Sequence, residues 1–270
     1  WGAIRRILKE IGNDPAKGAE LAWQLALGRN PTADETTAAV AHIKTQLDSF
    51  SQQPKTGFSA DQNANSLAVK EKLALWLKAD NGIQLDKDGG VMFWKDSSGS
   101  SLDGLHPHDG SQFNPIRRPR LVPNVIQDRP VIRFDGKDDF LHLAGSPLWG
   151  QEFSLFVVAS DRGSKTGHRA IISNWHRRGR SITSFFFGLT GKSNIRLSDA
   201  FVPAGSLKSP TTPFLLSGFN SKQGASTYEG RTLLASAGQL SKRDVAGPYV
   251  IGVQGNYGTE YWNGDIAEVI

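Results

Sequence analysis

Trp175-His176-Arg177-Arg178-Gly179-Arg180 sets one indole beside an imidazole and three guanidinium groups. An aromatic face next to planar, permanently charged forks suits a sugar ring that carries sulfate or carboxylate. The ring packs on the indole while the forks hold the anion. Arg117, Arg118 and Arg120 form a second basic run, and Arg162, Lys165, His168 and Arg169 a third. Trp94, Trp149 and Trp175 lie close to turn-forming residues and read as stacking platforms, whereas Trp76 and Trp262 sit in apolar runs and read as core. Tyr257 and Tyr261 flank a glycine-containing loop and add further rings.

Three carboxylates, Asp135, Asp138 and Asp139, fall in one Phe-Asp-Gly-Lys-Asp-Asp turn. Clustered carboxylates around a glycine suit Ca2+, which takes six to eight oxygens; the competing reading is that they satisfy backbone amides of the turn, as aspartate commonly does. His106-Pro-His108-Asp109 offers two imidazoles one residue apart, too few ligands for a zinc site, and reads as part of a solvated loop. Gly191-Lys192-Ser193 resembles the end of a phosphate-binding loop, but position 186, where the first glycine belongs, is Phe. No Gly-x-Ser-x-Gly elbow occurs. The chain has no cysteine, which removes disulfides, thiolate metal sites and cysteine nucleophiles.

The elements that must position these groups change character along the chain. Of its 270 residues, 38% are hydrophobic and 21% charged, an ordinary globular composition. The chain starts at Trp1 and stops inside the apolar run ending at Ile270, so we expect a piece of a longer protein. No apolar run is long enough for a membrane span. The net charge is +5, and all of it falls after residue 66, because residues 1–66 hold seven basic and seven acidic side chains. That excess favours polyanions but is small for a nucleic-acid binder.

Residues 1–50 carry helical signals. Ile4, Leu8 and Ile11 share a face, and Asp14-Pro15 reads as an N-cap followed by proline in the first turn. Gly28 stands where a C-cap belongs and Pro31 blocks continuation. Thr32 and Glu35 form a capping box for a helix whose Ala39, Val40, Ile43, Leu47 and Phe50 line one side. Residues 51–66 are polar, contain Pro and Gly, and read as a linker. From 67 onward the period switches to two, with short strands expected at 73–79, 91–94, 130–134, 140–143, 154–160, 170–173, 184–188, 194–197, 214–219, 226–228, 232–235, 249–253 and 265–270. Glu229-Gly230 reads as a hairpin turn. Residues 97–129 read as one long loop. Many short strands without intervening helices predict a mainly β, antiparallel sandwich at 67–270, preceded by a small helical segment.

Several segments resemble the laminin-G-like, concanavalin-A-like lectin/glucanase superfamily. Leu73-Ala-Leu-Trp-Leu-Lys-Ala-Asp80 is similar to its opening strand, and Trp94-Lys-Asp-Ser-Ser-Gly99 to the turn that follows. Val131-Ile-Arg-Phe-Asp-Gly-Lys-Asp-Asp-Phe-Leu141 is similar to an F-D-G-x-D-D hairpin, Phe153–Val158 to a central strand, and Tyr261-Trp-Asn-Gly-Asp-Ile-Ala-Glu-Val-Ile270 to a G-D-I-A-E strand. The resemblance implies a jelly-roll sandwich. Glu20–Glu35 is similar to helical segments that close large planctomycete surface proteins carrying laminin-G-like modules.

That superfamily includes glycoside hydrolases, which set paired carboxylates on one face of a strand about 5–5.5 Å apart when they retain configuration. Here Asp265 and Glu268 are three apart, so a regular strand points them to opposite faces. The resemblance therefore implies a non-catalytic carbohydrate-binding or adhesion module of a secreted, periplasmic or surface protein. Polysaccharide or glycoprotein is the expected partner, anionic glycans foremost, with another protein second, no nucleic acid, and no required cofactor. The expected ligand-binding residues are Trp175, His176, Arg177, Arg178, Arg180, Arg117, Arg118, Trp94 and Tyr257. Some relatives bind Ca2+ at loop ends, for which Asp135, Asp138 and Asp139 are the candidates. The alternatives are a protein-interaction or structural module and a divergent glycosidase.

Overall fold

The computed structural model describes residues 16–17, 20, 23–24, 28–41, 72–99, 108–148, 150–163, 167–174, 185–198, 201–242, 245, 248–254 and 259–270. The chain divides into two compact units, Trp1–Lys70 and Glu71–Ile270.

In the first unit, residues 33–41 are helical. The capping box is in place: the Glu35 amide donates to Thr32 Oγ1 (3.3 Å), and the Thr32 amide donates to Glu35 Oε2 (2.8 Å). Arg29 reaches both carboxylate oxygens of Glu35 at 2.7 and 2.6 Å. Those bonds hold the Glu35 carboxyl down at about 2, the Arg29 guanidinium contributing most. Gly28 takes a left-handed φ of 63° and its amide closes on the Gln24 carbonyl, the expected C-cap. The expected helix at 4–11 and linker at 51–66 lie outside the described residues.

The second unit is built from strands. In chain order they are β1 (Leu77–Lys78), β2 (Ile83–Leu85), β3 (Val91–Trp94), β4 (Gly110–Ser111), β5 (Arg120–Ile126), β6 (Arg129–Asp135), β7 (Leu141–Leu143) and β8 (Phe153–Asp161). Then follow β9 (Arg169–Asn174), β10 (Phe186–Thr190), β11 (Asn194–Leu197), β12 (Phe214–Ser221), β13 (Gly224–Glu229), β14 (Thr232–Ala237), β15 (Tyr249–Ile251) and β16 (Asn263–Val269). Among the described residues they form two eight-stranded antiparallel sheets. The first runs β14-β13-β12-β8-β16-β6-β5, with β1 beside the far end of β16; the second runs β11-β10-β9-β15-β7-β4-β3-β2.

Strand alternation puts one face of each sheet into a shared core. In β8, Leu155, Val157 and Ala159 point inward and are at most 5% exposed. Ile132, Phe134, Leu216 and Ile266 join them from the first sheet, and Trp94, Leu141, Ile172, Phe187, Leu197 and Ile251 from the second. Each large side chain buried in this way contributes about 1.5–3 kcal/mol. The layers approach closely: a Cβ on Gly218 of β12 would lie 2.8 Å from the Phe187 ring.

Residues 97–129 are not one loop. They contain β4, a 3-10 turn at Pro115–Arg117 and the whole of β5. β5 is an edge strand, so Pro123 removes no ladder bond the sheet needs. Its register breaks between Val122 and Ile126, with Asn124 at φ 56°. It turns into β6 through Gln127 and Asp128, both at positive φ (50° and 60°), as a two-residue primed turn requires. The expected hairpin around Asp135–Asp139 is a corner instead: β6 belongs to the first sheet and β7 to the second. The turn at Gly230 does join paired strands, β13 and β14.

The sheets are tied by a fully buried ion pair. Arg169 Nη2, at the start of β9, donates to Asp161 Oδ2, at the end of β8, at 2.8 Å, and neither side chain is exposed. Arg169 Nη1 also donates to the carbonyls of Gly167 and Gly191. This removes Arg169 from any surface basic patch.

Candidate functional site

The described part of the candidate site lies on the outer face of the second sheet. Registers place Gln84, Phe93, Ser111 and His142 in one row across β2, β3, β4 and β7, on the face away from the inter-sheet core; the row ends in β15 at Val250, which is fully buried in a second apolar cluster with Phe140 and Val253. Above this row runs the segment 112–118. Phe113 is 74% exposed and Ile116 76%, the two most exposed large apolar side chains among the described residues. Phe113 meets Phe93 edge to face, with centroids 5.9 Å apart. Arg117 is exposed, and its guanidinium carbon lies 5.9 Å from the centre of the Phe140 ring. Phe140 in turn meets His142 edge to face at 4.9 Å. The His142 imidazole loses hydration against that ring, which lowers its pKa and favours the neutral form at neutral pH.

This tip is braced from below. Arg118 donates through Nε to the Gln112 carbonyl, through Nη1 to Asp86 Oδ2 and through Nη2 to the Phe113 carbonyl. Asp86 is held down at about 2, chiefly by Arg118 and then by the Gly90 amide. Gln112 Nε2 donates to the Phe140 carbonyl, and the Phe140 amide donates to the Arg117 carbonyl. Asn114 Oδ1 accepts from the Ile116 amide as the N-cap of the 3-10 turn. The backbone that carries Phe113, Ile116 and Arg117 is therefore fixed while the side chains face water.

Phe140 also borders the acidic corner. Oxygens of Asp135, Asp138 and Asp139 lie within 4.8 Å of one another. Asp135 Oδ1 accepts from the Lys137 and Asp138 amides, and the Asp135 amide donates to Asp139 Oδ2 (2.9 Å). Gly136 has φ 74°, and a Cβ there would lie 2.5 Å from Asn263 Cβ, so glycine is required. Asp139 is 7% exposed. Burial pushes its carboxyl up to about 7, with the charges of Asp135 and Asp138 adding to the effect. Three oxygens at this spacing fit around one hard divalent cation, whose oxygen ligands stand about 2.3–2.6 Å from the ion.

Several expected site residues lie elsewhere. Trp94 is completely buried in the core and offers no face to a sugar. Arg118 is a brace, its side chain 10% exposed. His108 is fully buried, not solvated: its Nδ1 lies 2.7 Å from the Ala144 carbonyl, while Asp109 accepts from the Asp96 amide. Trp175, His176, Arg177, Arg178, Arg180 and Tyr257 fall outside the described residues. Phe113 and Ile116 did not figure among the expected contacts; the signal available was two apolar residues flanking Asn114-Pro115 beside Arg117.

The Asp265–Glu268 pair also differs from expectation. Ala267 is an extra residue in β16: Ile266 pairs with Ala159 and Glu268 with Val158. This bulge turns both carboxylates to the outer face of the first sheet. Asp265 is 3% exposed and held by Arg133 at 2.6 and 2.8 Å, while Glu268 Oε1 accepts from Trp76 Nε1 at 2.6 Å.

No protein-family profile matches this chain, and no curated relative does. Solved structures do. Domain 4 of a GH43 extracellular arabinanase from Geobacillus stearothermophilus, in complex with arabinotriose, is 11% identical over 73% of this chain and 90% of that domain, with a TM-score of 0.53. A sialidase from Trypanosoma rangeli, in complex with 2,3-difluorosialic acid, is 12% identical with a TM-score of 0.48; the match covers 87% of this chain and 36% of the sialidase. The CBM40 of a Ruminococcus gnavus IT-sialidase, bound to α2,3-sialyllactose, is 9% identical with a TM-score of 0.38 over 52% of this chain and 87% of that one. The arabinanase domain shares the mainly β fold. No helix among the described residues is long and apolar enough to cross a membrane.

Proposed function

We propose that this chain is a non-catalytic carbohydrate-binding module of a larger secreted or surface protein, on a concanavalin-A-like (laminin-G-like) jelly-roll sandwich. The observation that carries the reading is the braced tip. Large apolar side chains held in water by a rigid backbone lose little entropy on binding, and an exposed patch of this kind marks a contact surface. Phe113 and Ile116 would pack against the C–H face of a sugar ring, while Arg117 reaches for a carboxylate or sulfate on it. The fold shared with a domain solved with arabinotriose supports the same partner class. The clamping of Asp265 by Arg133 supports a binding role over glycosidase chemistry. Trp175, His176, Arg177, Arg178, Arg180 and Tyr257 enter as a second set of contacts, and Ca2+ at Asp135, Asp138 and Asp139 as an ion that stiffens the corner beside Phe140.

The test is titration calorimetry of the 270-residue chain against neutral, uronic and sulfated polysaccharides, with Ca2+ and with chelator, at low and high salt. We expect binding to anionic chains that weakens with salt. Phe113→Ala and Arg117→Ala should each weaken it about tenfold or more, a loss of roughly 1.4 kcal/mol. Added Ca2+ should raise the melting temperature, and Asp138→Asn should abolish that rise. Absence of binding to every glycan would sink the reading and leave a protein-interaction module in its place.

A further inference from the structure

His142 is the one side chain in the row Gln84–Phe93–Ser111–His142 that can change its charge near neutral pH. It is exposed, between Leu141 and Leu143, which are buried in the core. Ring contacts tie it to Arg117. Both groups rest on Phe140, the imidazole edge to face at 4.9 Å and the guanidinium carbon 5.9 Å from the ring centre. Phe140 is fixed in turn. Its amide donates to the Arg117 carbonyl, its carbonyl accepts from Gln112 Nε2, and its ring is buried with Val250 and Val253. The imidazole therefore keeps a set place beside the guanidinium that the tip offers to an anion.

Among the described residues, the charged and titratable groups around His142 are few. Arg117 meets Phe140 from the 3-10 turn, Tyr261 packs on the patch of Phe140, Val250 and Val253, and Asp139 precedes Phe140 in the chain. The residues paired with His142 on either side, Ser111 of β4 and Val250 of β15, carry no charge.

Given the carbohydrate-binding role, on which this rests, we propose that His142 is a second anion contact of the site, engaged when its imidazole is protonated, so that the chain holds an anionic glycan more tightly in acid than at neutral pH. A neutral imidazole offers one N–H donor; a protonated one offers two, and a charge. Loss of hydration against Phe140 favours the neutral form in the free chain. A sulfate or carboxylate seated at Arg117 favours the charged form. Proton and ligand thus each raise the affinity for the other. Affinity climbs as pH falls through the midpoint of the bound imidazole and levels off below that of the free one.

Dextran sulfate, whose sulfates stay ionised throughout, is the probe. Titration calorimetry of the 270-residue chain at constant salt, between about pH 5 and 8, brackets the imidazole. We expect binding about two- to fivefold tighter at the acid end, the size of one partly exposed charge contact. His142→Gln should remove that gain. The Hε1 resonance of His142, followed by NMR, should titrate at higher pH with dextran sulfate than without it, which separates the imidazole from the Asp139 carboxyl as the responsible group. Binding equally tight at both ends of the range overturns the proposal and leaves the carbohydrate-binding role standing. So does a gain that His142→Gln retains, or a His142 midpoint that dextran sulfate does not raise. Absence of binding at every pH overturns the proposal together with anionic glycan as the partner.

Discussion

Asp139 shows how little of a residue's role is written in its own type. Its two neighbours in the acidic corner share its side chain, yet Asp139 alone is buried, and its carboxyl is pushed up to about 7. In the unfolded chain an aspartate titrates near about 3.9. The folded state thus holds the proton more tightly, and stability from this group is present below about pH 4 and lost as pH rises through about 7. Asp139→Asn should flatten that part of the curve, because an amide oxygen can still accept from the Asp135 amide. Urea denaturation at closely spaced pH values checks this; equal slopes for the two proteins between about pH 4 and 7 would remove burial of Asp139 as their source. The acidic corner was legible in the sequence because its members are adjacent. Trp94 was not, because Val91-Met-Phe-Trp94 is apolar at every position and its parity cannot be read. Arg117 and Arg118 are neighbours of one type; a carboxylate 32 residues away, Asp86, decides which of them faces water.

At the scale of elements, most strands were visible as period-two runs, and β3 and β11 fall where expected. β5 was missed because Pro123 and Asn124 read as loop residues, and edge position is a property of the assembled sheet. The bulge at Ala267 was equally invisible, since its only trace is the offset between Ile266 and Glu268 opposite β8. Arg169 looked like surface charge next to His168, yet it lies between the ends of β8, β9 and the turn after β10, where it meets Asp161 and the carbonyls of Gly167, Gly191 and Lys192. Breaking a buried pair strands a charge, so Arg169→Met should cost roughly 3–5 kcal/mol. Adding Asp161→Asn should recover part of that loss. Equilibrium unfolding of the single and double variants reads both values; an Arg169→Met protein as stable as the parent would show that the pair does not tie the sheets.

At the scale of the molecule, the switch from helical to strand periodicity was the most legible feature, and the chain divides into compact units at Lys70 and Glu71. Residues 71–270 expressed alone should therefore unfold in one cooperative transition, within a few degrees of the matching transition in the whole chain. Calorimetry measures this; a broad transition without a heat-absorption peak would mean that the sandwich depends on residues 1–70. The braced tip was least legible, because its exposure results from bracing by residues far apart in sequence.

The position of β16 has a consequence for biosynthesis. β5 and β6 stand on one side of it, and β8, β12, β13 and β14 on the other, so among the described residues the first sheet is joined through residues 263–269. A ribosome finishes β6 and β8 long before β16 emerges. Until then, the flanks of β6 and β8 that β16 will cover present unpaired amides and carbonyls beside apolar side chains. The nascent sandwich must wait with two open seams, and holdase chaperones or slow, cool expression should raise the yield of folded chain more than any change at its surface.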